Sequence, residues 1–151
     1  MRIVCDTDIL STFARIHKLG ILKRLFDGII IPPSVASELK IGKIMFTGFK
    51  IRSVSLNKNE LKTLAQSDPR LGRGEKECIA VARARHLPLA SNDRIVHELC
   101  TQEDISYFSL PRILRHAIHR KVISRKAAKE IVTLIETEEN TTIKNKEEIF
   151  R

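Results

Sequence analysis

Ile3-Val4-Cys5-Asp6-Thr7-Asp8 decides how this chain folds, because a β-branched apolar run that stops abruptly in acid reads as a buried strand carrying carboxylates to a sheet edge. In open α/β sheets ligands sit in the crevice at the carboxyl ends of the strands, so an acid closing the first strand is placed for work. Asp6 abuts the buried run and is the first candidate functional acid. Asp8 precedes Ile9 and Leu10 and is a residue type that caps helix N-termini, which is the role expected of it.

Outward from that run the pattern alternates. Leu10, Phe13, Ile16, Leu19, Leu22, Leu25 and Phe26 recur at helical spacing, and Gly20 predicts two short helices or one broken there. Asp27-Gly28 turns the chain into Ile29-Ile30-Ile31, an unbroken run expected of a strand buried on both faces. Pro32-Pro33 stops it, and 34–40 fits a helix with Val35, Ala36 and Leu39 inward and Glu38 on the flank of that stripe. Residues 41–50 read as a loop or weak helix, 51–54 as a short strand, and 57–67 as a helix ended by Asp68-Pro69. After the turn Leu71-Gly72-Arg73-Gly74 a helix is predicted over 75–85, with Glu75 on the inward face of Cys78 and Ile79 and Glu77 rotated toward solvent.

Leu89-Ala90-Ser91-Asn92-Asp93 repeats the opening theme, a short apolar run that delivers an acid. A helix over 94–100, a strand over 105–110, a helix over 111–119 and a last helix capped by Ser124 follow. The expected organisation is a single domain over 1–138 with a polar tail, 139–151, that frays. Alternating strands and helices imply an α/β fold: a central, mostly parallel sheet with right-handed crossovers, flanked by helices in three α/β/α layers.

With 151 residues and 42% hydrophobic content the chain suits one core. A net charge of +9 and a pI near 9.8 favour acidic partners, nucleic acid first. With no Trp and one Tyr the chain lacks a base-stacking platform, so RNA would be met mainly through its phosphates. Cys5, Cys78 and Cys100 are widely spaced and odd in number, which indicates neither a disulfide framework nor a zinc site; they read as core residues in a reducing compartment. No charged-then-apolar leader opens the chain and its apolar runs are too short to cross a bilayer, so a cytoplasmic protein is expected.

Asp6, Glu38, Glu75 and Asp93 start or flank segments that the topology can gather at one edge of the sheet. Crowded carboxylates repel, and one of them must take up a proton unless a divalent cation neutralises them. Oxygen donors without a partnering His or Cys select magnesium or manganese over zinc, and such ions suit attack of water on a phosphodiester. Hydrolysis of a nucleic-acid backbone is the reaction expected.

Four stretches carry a resemblance to the PIN-domain nucleases, which include the VapC-like toxins of toxin–antitoxin pairs. They are the opening strand with Asp6-Thr7, the acid Glu38 in Ser34-Val35-Ala36-Ser37-Glu38-Leu39, the run Leu71-Gly72-Arg73-Gly74-Glu75 before an Ala-rich helix, and Leu89-Ala90-Ser91-Asn92-Asp93-Arg94. Together they span nearly the whole chain. The resemblance implies a PIN-like fold and metal-dependent endoribonuclease activity, with Asp6, Glu38, Glu75 and Asp93 as the catalytic, metal-binding acids and Mg2+ or Mn2+ as cofactor. It also implies RNA as substrate, a homodimer and, for toxin members, an antitoxin protein as partner.

Two departures stand out: Asp8 where relatives commonly carry Ser or Asn, and Asn92-Asp93 where paired Asp is frequent. Thr7 and Ser91 are candidates to support the acids with hydroxyls, and Arg73 and Arg94 to touch phosphate. The basic residues from Arg112 to Lys129 suit an RNA backbone, an acidic antitoxin segment or plain solvation. His17, His86 and His97 have no spacing that suggests a role. A haloacid-dehalogenase-like phosphatase, with Asp6 as nucleophile and Asp8 as acid/base, leaves Glu38 and Glu75 idle and meets Leu10 where that family expects Thr or Val. A non-catalytic PIN-like binding module is the remaining alternative.

Overall fold

Burial explains why the two β-branched runs seed one sheet. In the computed structural model, which describes residues 1–43, 51–64 and 66–151, Ile3, Val4, Ile29 and Ile31 are all at most 1% exposed. A strand sealed on both faces needs partners on both edges, and β1 (Arg2–Cys5) has them: β2 (Gly28–Ile31) on one side, with Val4 opposite Ile30, and β4 (Leu89–Ala90) on the other, with Val4 opposite Leu89. The edges are β3 (Ile51–Ser53) and β5 (Tyr107–Phe108), giving the order β3-β2-β1-β4-β5, parallel throughout. The chain builds outward from β1 to β3 and then returns to β4 on the other side. The switch point therefore falls between β1 and β4, where a crevice opens at the carboxyl ends of the strands.

Among the described residues eight helices cover the sheet: α1 (Thr7–Arg15), α2 (Leu19–Leu25), α3 (Pro33–Ile41), α4 (Lys58–Leu64), α5 (Arg73–Arg85), α6 (Arg94–Gln102), α7 (Leu110–His119) and α8 (Arg125–Glu138). The α/β fold with helices flanking a parallel sheet is the one expected. Among the described residues no helix is long and apolar enough to cross a membrane. Cys5, Cys78 and Cys100 are free and buried, as core residues.

Several local expectations are corrected. The break after α1 lies at Ile16–Lys18, where His17 takes a left-handed φ of 57°, and Gly20 sits inside α2. Amides 17 and 18 bond back to the carbonyls of Ala14 and Phe13, so the turn closes without needing a glycine. α5 begins at Arg73, two residues earlier than predicted, because Gly72 serves as its N-cap. The loop or weak helix expected over 41–50 lies, from 44 onward, outside the described residues, as does Ala65.

α5 buries Gly74 and the run from Glu77 to Ala82. Glu77, read as solvent-facing, is 3% exposed. A second buried acid, Glu60 in α4, bonds Arg85 of α5 at 2.9 and 3.1 Å and exchanges capping bonds with Asn57. Burial pushes the Glu60 carboxyl up, but Arg85 and the Asn57 amide outweigh it and hold its pKa below the ordinary value.

The segment after Glu138 does not fray. A 3-10 turn (Lys146–Phe150) packs on α7; Ile149 is fully buried and Ile143 nearly so. Glu136 accepts the Ile143 amide at 2.8 Å and pairs with Lys146, while Arg125 donates to the Phe150 carbonyl. Two apolar residues in a polar stretch are thus enough to dock it. Ile149→Ala is expected to lower unfolding stability by about 2–4 kcal/mol, as a core truncation does. Denaturant titration measures this; a change under about 0.5 kcal/mol, the surface value, would show that the segment is not part of the core.

Candidate active site

β1 ends at Cys5, so the helix that follows starts at once and Asp6 becomes its N-cap, accepting the Ile9 amide at 3.1 Å. The capping role expected of Asp8 belongs to Asp6; Asp8 lies in the first turn of α1, exposed, with no hydrogen-bond partner among the described residues. Two acids two residues apart both suit a cap, and only the exact end of the strand decides between them. The Asp6 amide bonds the Ala90 carbonyl and its carboxylate meets the Ser91 hydroxyl, which ties the first acid to β4 across the switch point.

The other acids arrive on helix termini and flanks. Thr7 donates to Glu38 of α3 at 2.6 Å. Glu75, in the first turn of α5, accepts the Gly72 amide at 2.9 Å and so closes its own helix end. Asp93 caps α6 through the Val96 amide at 3.0 Å, and its own amide bonds the Ser91 hydroxyl oxygen at 3.2 Å. Each of the four acids spends an oxygen on a local donor.

Asp6, Glu38 and Glu75 line one cavity of about 190 Å³ together with Thr7, Asp8 and Gly74. Asp93 lines the adjoining, wider cavity of about 540 Å³, with Asp8, Thr12, Arg15 and Glu139. Three of the four predicted acids share one space, and Asp8, left out of the predicted set, stands in the wall of both. The charges make one unit despite the partition. Burial, countered by the Ile9 and Ser91 hydrogen bonds and reinforced by Asp8 and Glu75, raises Asp6 to about 7. Burial and then repulsion from Asp93, Asp8 and Glu38 raise Glu75 against its Gly72 bond; Asp8 is raised by burial, Glu38, Glu139 and Asp93.

Whether these residues suit a divalent cation is decided by donor chemistry. The narrower cavity holds carboxylates and a hydroxyl with no His or Cys, the hard donor set of magnesium or manganese. Its acids repel one another, a burden that a cation removes. Glu38 Oε1 lies 2.7 Å from where a Cβ on Gly74 would stand, so only glycine leaves it that space. Among the described residues no group of three acids is already drawn into a tight cage. Glu38 and Glu75 each commit one oxygen to a local donor, Thr7 and the Gly72 amide.

Two further residues hold the site without lining it. Glu77 accepts the amide and hydroxyl of Ser34 at 2.8 and 2.6 Å and pairs with Arg73 at 2.7 Å, joining α3, which bears Glu38, to α5, which bears Glu75. Burial pushes the Glu77 carboxyl up, yet the bonds from Ser34 and Arg73 hold it below its ordinary range. Gly74, Glu77 and Val81 recur at helical spacing, and that stripe is the signal in the sequence that could have placed Glu77 inward. Arg73 and Arg94, candidates for phosphate, pair with Glu77 and Glu98. His97 stacks on Tyr107 and its ring nitrogen meets the Ser91 carbonyl.

Residues 2–147 match a family model, DUF3368, described as a PIN domain. No curated protein sequence matches the chain. Among solved structures the fold is similar to a PilT N-terminus domain protein from the hyperthermophilic archaeon Sulfolobus solfataricus P2, at 18% identity and a TM-score of 0.56, covering 75% of this chain and 90% of that one. It is also similar to VapBC2 from Rickettsia felis, solved bound to a DNA fragment from its promoter, at 13% identity and a TM-score of 0.54, covering 72% and 98%. At such identities the likeness is one of fold.

The buried acid sets a pH dependence of stability in the absence of divalent cations. An unfolded Asp6 releases its proton near 3.8 and the folded one near 7, so between those values the folded state holds the extra proton. The stabilisation is complete below about pH 4 and is lost as pH rises to 7, a change of about 2–4 kcal/mol. Asp6→Asn, which keeps a good cap, is expected to remove most of that slope in denaturant titrations from pH 4 to 8 and to be the more stable form at pH 7.5. An unchanged slope contradicts the assignment.

Proposed function

We propose, because this chain belongs to the DUF3368 family of PIN domains, that it is a divalent-metal-dependent endoribonuclease acting at Asp6, Glu38, Glu75 and Asp93. The observation that carries this reading is the meeting of Asp6, Glu38 and Glu75, from three separate elements, around one cavity at the switch point, with Asp93 in electrostatic reach. The four acids would hold Mg2+ or Mn2+, which supplies an acidified water and shields the charge on the phosphoryl oxygens.

The residues divide the remaining work. Asp6 is fixed by its helix bond and by Ser91, so it presents its carboxylate in one orientation. Thr7 orients Glu38, the Gly72 amide orients Glu75, and Glu77 sets the distance between the helices that carry them. The exposed cations supply the phosphate contacts that an acidic site cannot make itself. Asp8 adds negative charge beside the proposed metal ligands and lines both cavities. The likeness to VapBC2 supports a toxin role with an antitoxin protein as partner, and a homodimer belongs to the same reading.

Cleavage of RNA by the purified chain in manganese tests the proposal. Asp6→Asn and Glu75→Gln are each expected to lower the rate by on the order of 100-fold or more, the scale of losing a metal-orienting group. If Asp6→Asn cleaves as fast as the parent, the site is wrong, whereas RNA binding without scission points to a non-catalytic module. Gly74→Ala gives a finer check, because its Cβ would displace the flexible end of Glu38 and leave the backbone in place. It should fold normally, raise the manganese Kd about tenfold by calorimetry and slow cleavage in step.

A further inference from the structure

From Ile105 to Lys129 the chain contains no Asp or Glu and seven Lys or Arg, against a net charge of +9 for the whole protein. Arg112 and Arg115 lie on α7, Arg120 and Lys121 follow its end, and Arg125, Lys126 and Lys129 open α8; all seven are exposed. None of them forms an ion pair among the described residues, whereas Arg15, Arg70, Arg73, Arg83, Arg85 and Arg94 all do. Arg112 and Arg125 donate to the Tyr107 and Phe150 carbonyls and lie over the Phe108 and Phe150 rings, contacts that position a guanidinium and leave its charge unneutralised.

The charge order along α8 opposes the helix it decorates. Acids are favoured near a helix N-terminus and cations near the C-terminus, yet α8 starts with Arg125, Lys126 and Lys129 and ends with Glu136, Glu138 and Glu139. Helix stability therefore does not account for this order. The acidic end lines the cavity that contains Asp93, and the basic end lies one helix away, roughly 20 Å at 1.5 Å per residue.

We propose that the α7–α8 turn is a second contact surface for the phosphate backbone of the RNA strand that is cut at the carboxylates. The proposal rests on the ribonuclease reading for the identity of its ligand. A polymer is required because the two surfaces are far apart: at about 3.4 Å per nucleotide of helical strand, the gap corresponds to roughly six nucleotides. A polyanion fits better than an acidic protein segment because the turn lacks apolar anchors. Among the described residues the exposed large apolar side chains are Met1, Ile41, Leu61 and Leu134, none of them at the turn, and protein interfaces are built around such anchors. Phosphate contact asks only for unpaired, accessible cations.

Binding of labelled RNA to the full chain in EDTA tests this without requiring cleavage. The probes are a strand of about 30 nucleotides, which reaches both surfaces, and one of about four, which cannot. Arg120→Gln, Lys121→Gln and Lys126→Gln combined are expected to weaken the long strand about tenfold and to reduce its salt slope by about 2, at roughly 0.7 per lost phosphate contact. The short strand, held by fewer phosphates, should bind the parent more weakly than the long one and lose in the variant what binding it has. Arg52→Gln, Lys58→Gln and Lys62→Gln combined remove the same charge elsewhere on the exposed surface and should change neither strand by more than about twofold. Equal effects of the two triple variants, or an unaltered slope in the first, overturn the proposal. So does a loss of binding to an acidic peptide with RNA affinity unchanged, which assigns the turn to a protein partner. Failure of the ribonuclease reading is seen separately, as absence of cleavage by the parent in manganese.

Discussion

One hydrogen bond constrains the whole arrangement, the donation from the Ile9 amide to Asp6. It makes the first acid of the opening run part of the helix start, and because β1 is sealed on both faces, the carboxylate is carried indoors with it. Asp6 cannot swing out to water without uncapping α1. The amide of the same residue bonds the Ala90 carbonyl and its carboxylate meets Ser91, so the strands on the two sides of the switch point are joined through one acid. Cap, strand junction and candidate ligand are the same residue, and its charge is held where the sheet opens.

The second constraint is the spacing between α3 and α5. Gly74 lets the Glu38 carboxylate approach the α5 backbone, and Glu77 ties the first turn of α3 to the same helix through both atoms of Ser34. A buried acid held by three donors is rigid in a way that an apolar contact is not, because a shift of either helix would strand its charge. Glu38 is itself exposed and Glu75 half-buried. What must stay fixed is the backbone that carries them, and Glu77 does that from below.

How much of this was legible follows from the same physics. The parallel sheet showed itself because β1 and β2 are continuous β-branched runs, and the strand-end acids drew notice because charge directly after such a run falls where strand gives way to helix. Asp8 and Glu77 were misplaced for opposite reasons. Asp8 fits a cap by residue type, and only the length of β1, known to a single residue, hands that role to Asp6. Glu77 is an acid in a charged stretch, and residue type alone sends it to solvent although Gly74 and Val81 mark its stripe as buried. The docked C-terminal segment was hidden by composition: Ile143 and Ile149 are few among polar neighbours, yet each finds a place in the core. Residue type was a good guide where burial was uniform and a poor one where a single position decided it.

The acids also bear on why the proposed metal site would favour a cation and not only tolerate one. Burial raises Asp6 to about 7, and neighbouring carboxylates raise Glu75 and Asp8. Near neutral pH, protons and the proposed cation would therefore compete for the same relief of charge, since either one removes the repulsion and only one can occupy the space. A fully exposed cluster would ionise freely and gain little from a cation that water already screens. A cluster sealed like a core would stay protonated. On the proposed reading, placing Asp6 inside, Glu38 and Asp8 at the surface and Glu75 between them would let the cluster ionise when a cation arrives and remain folded when it does not.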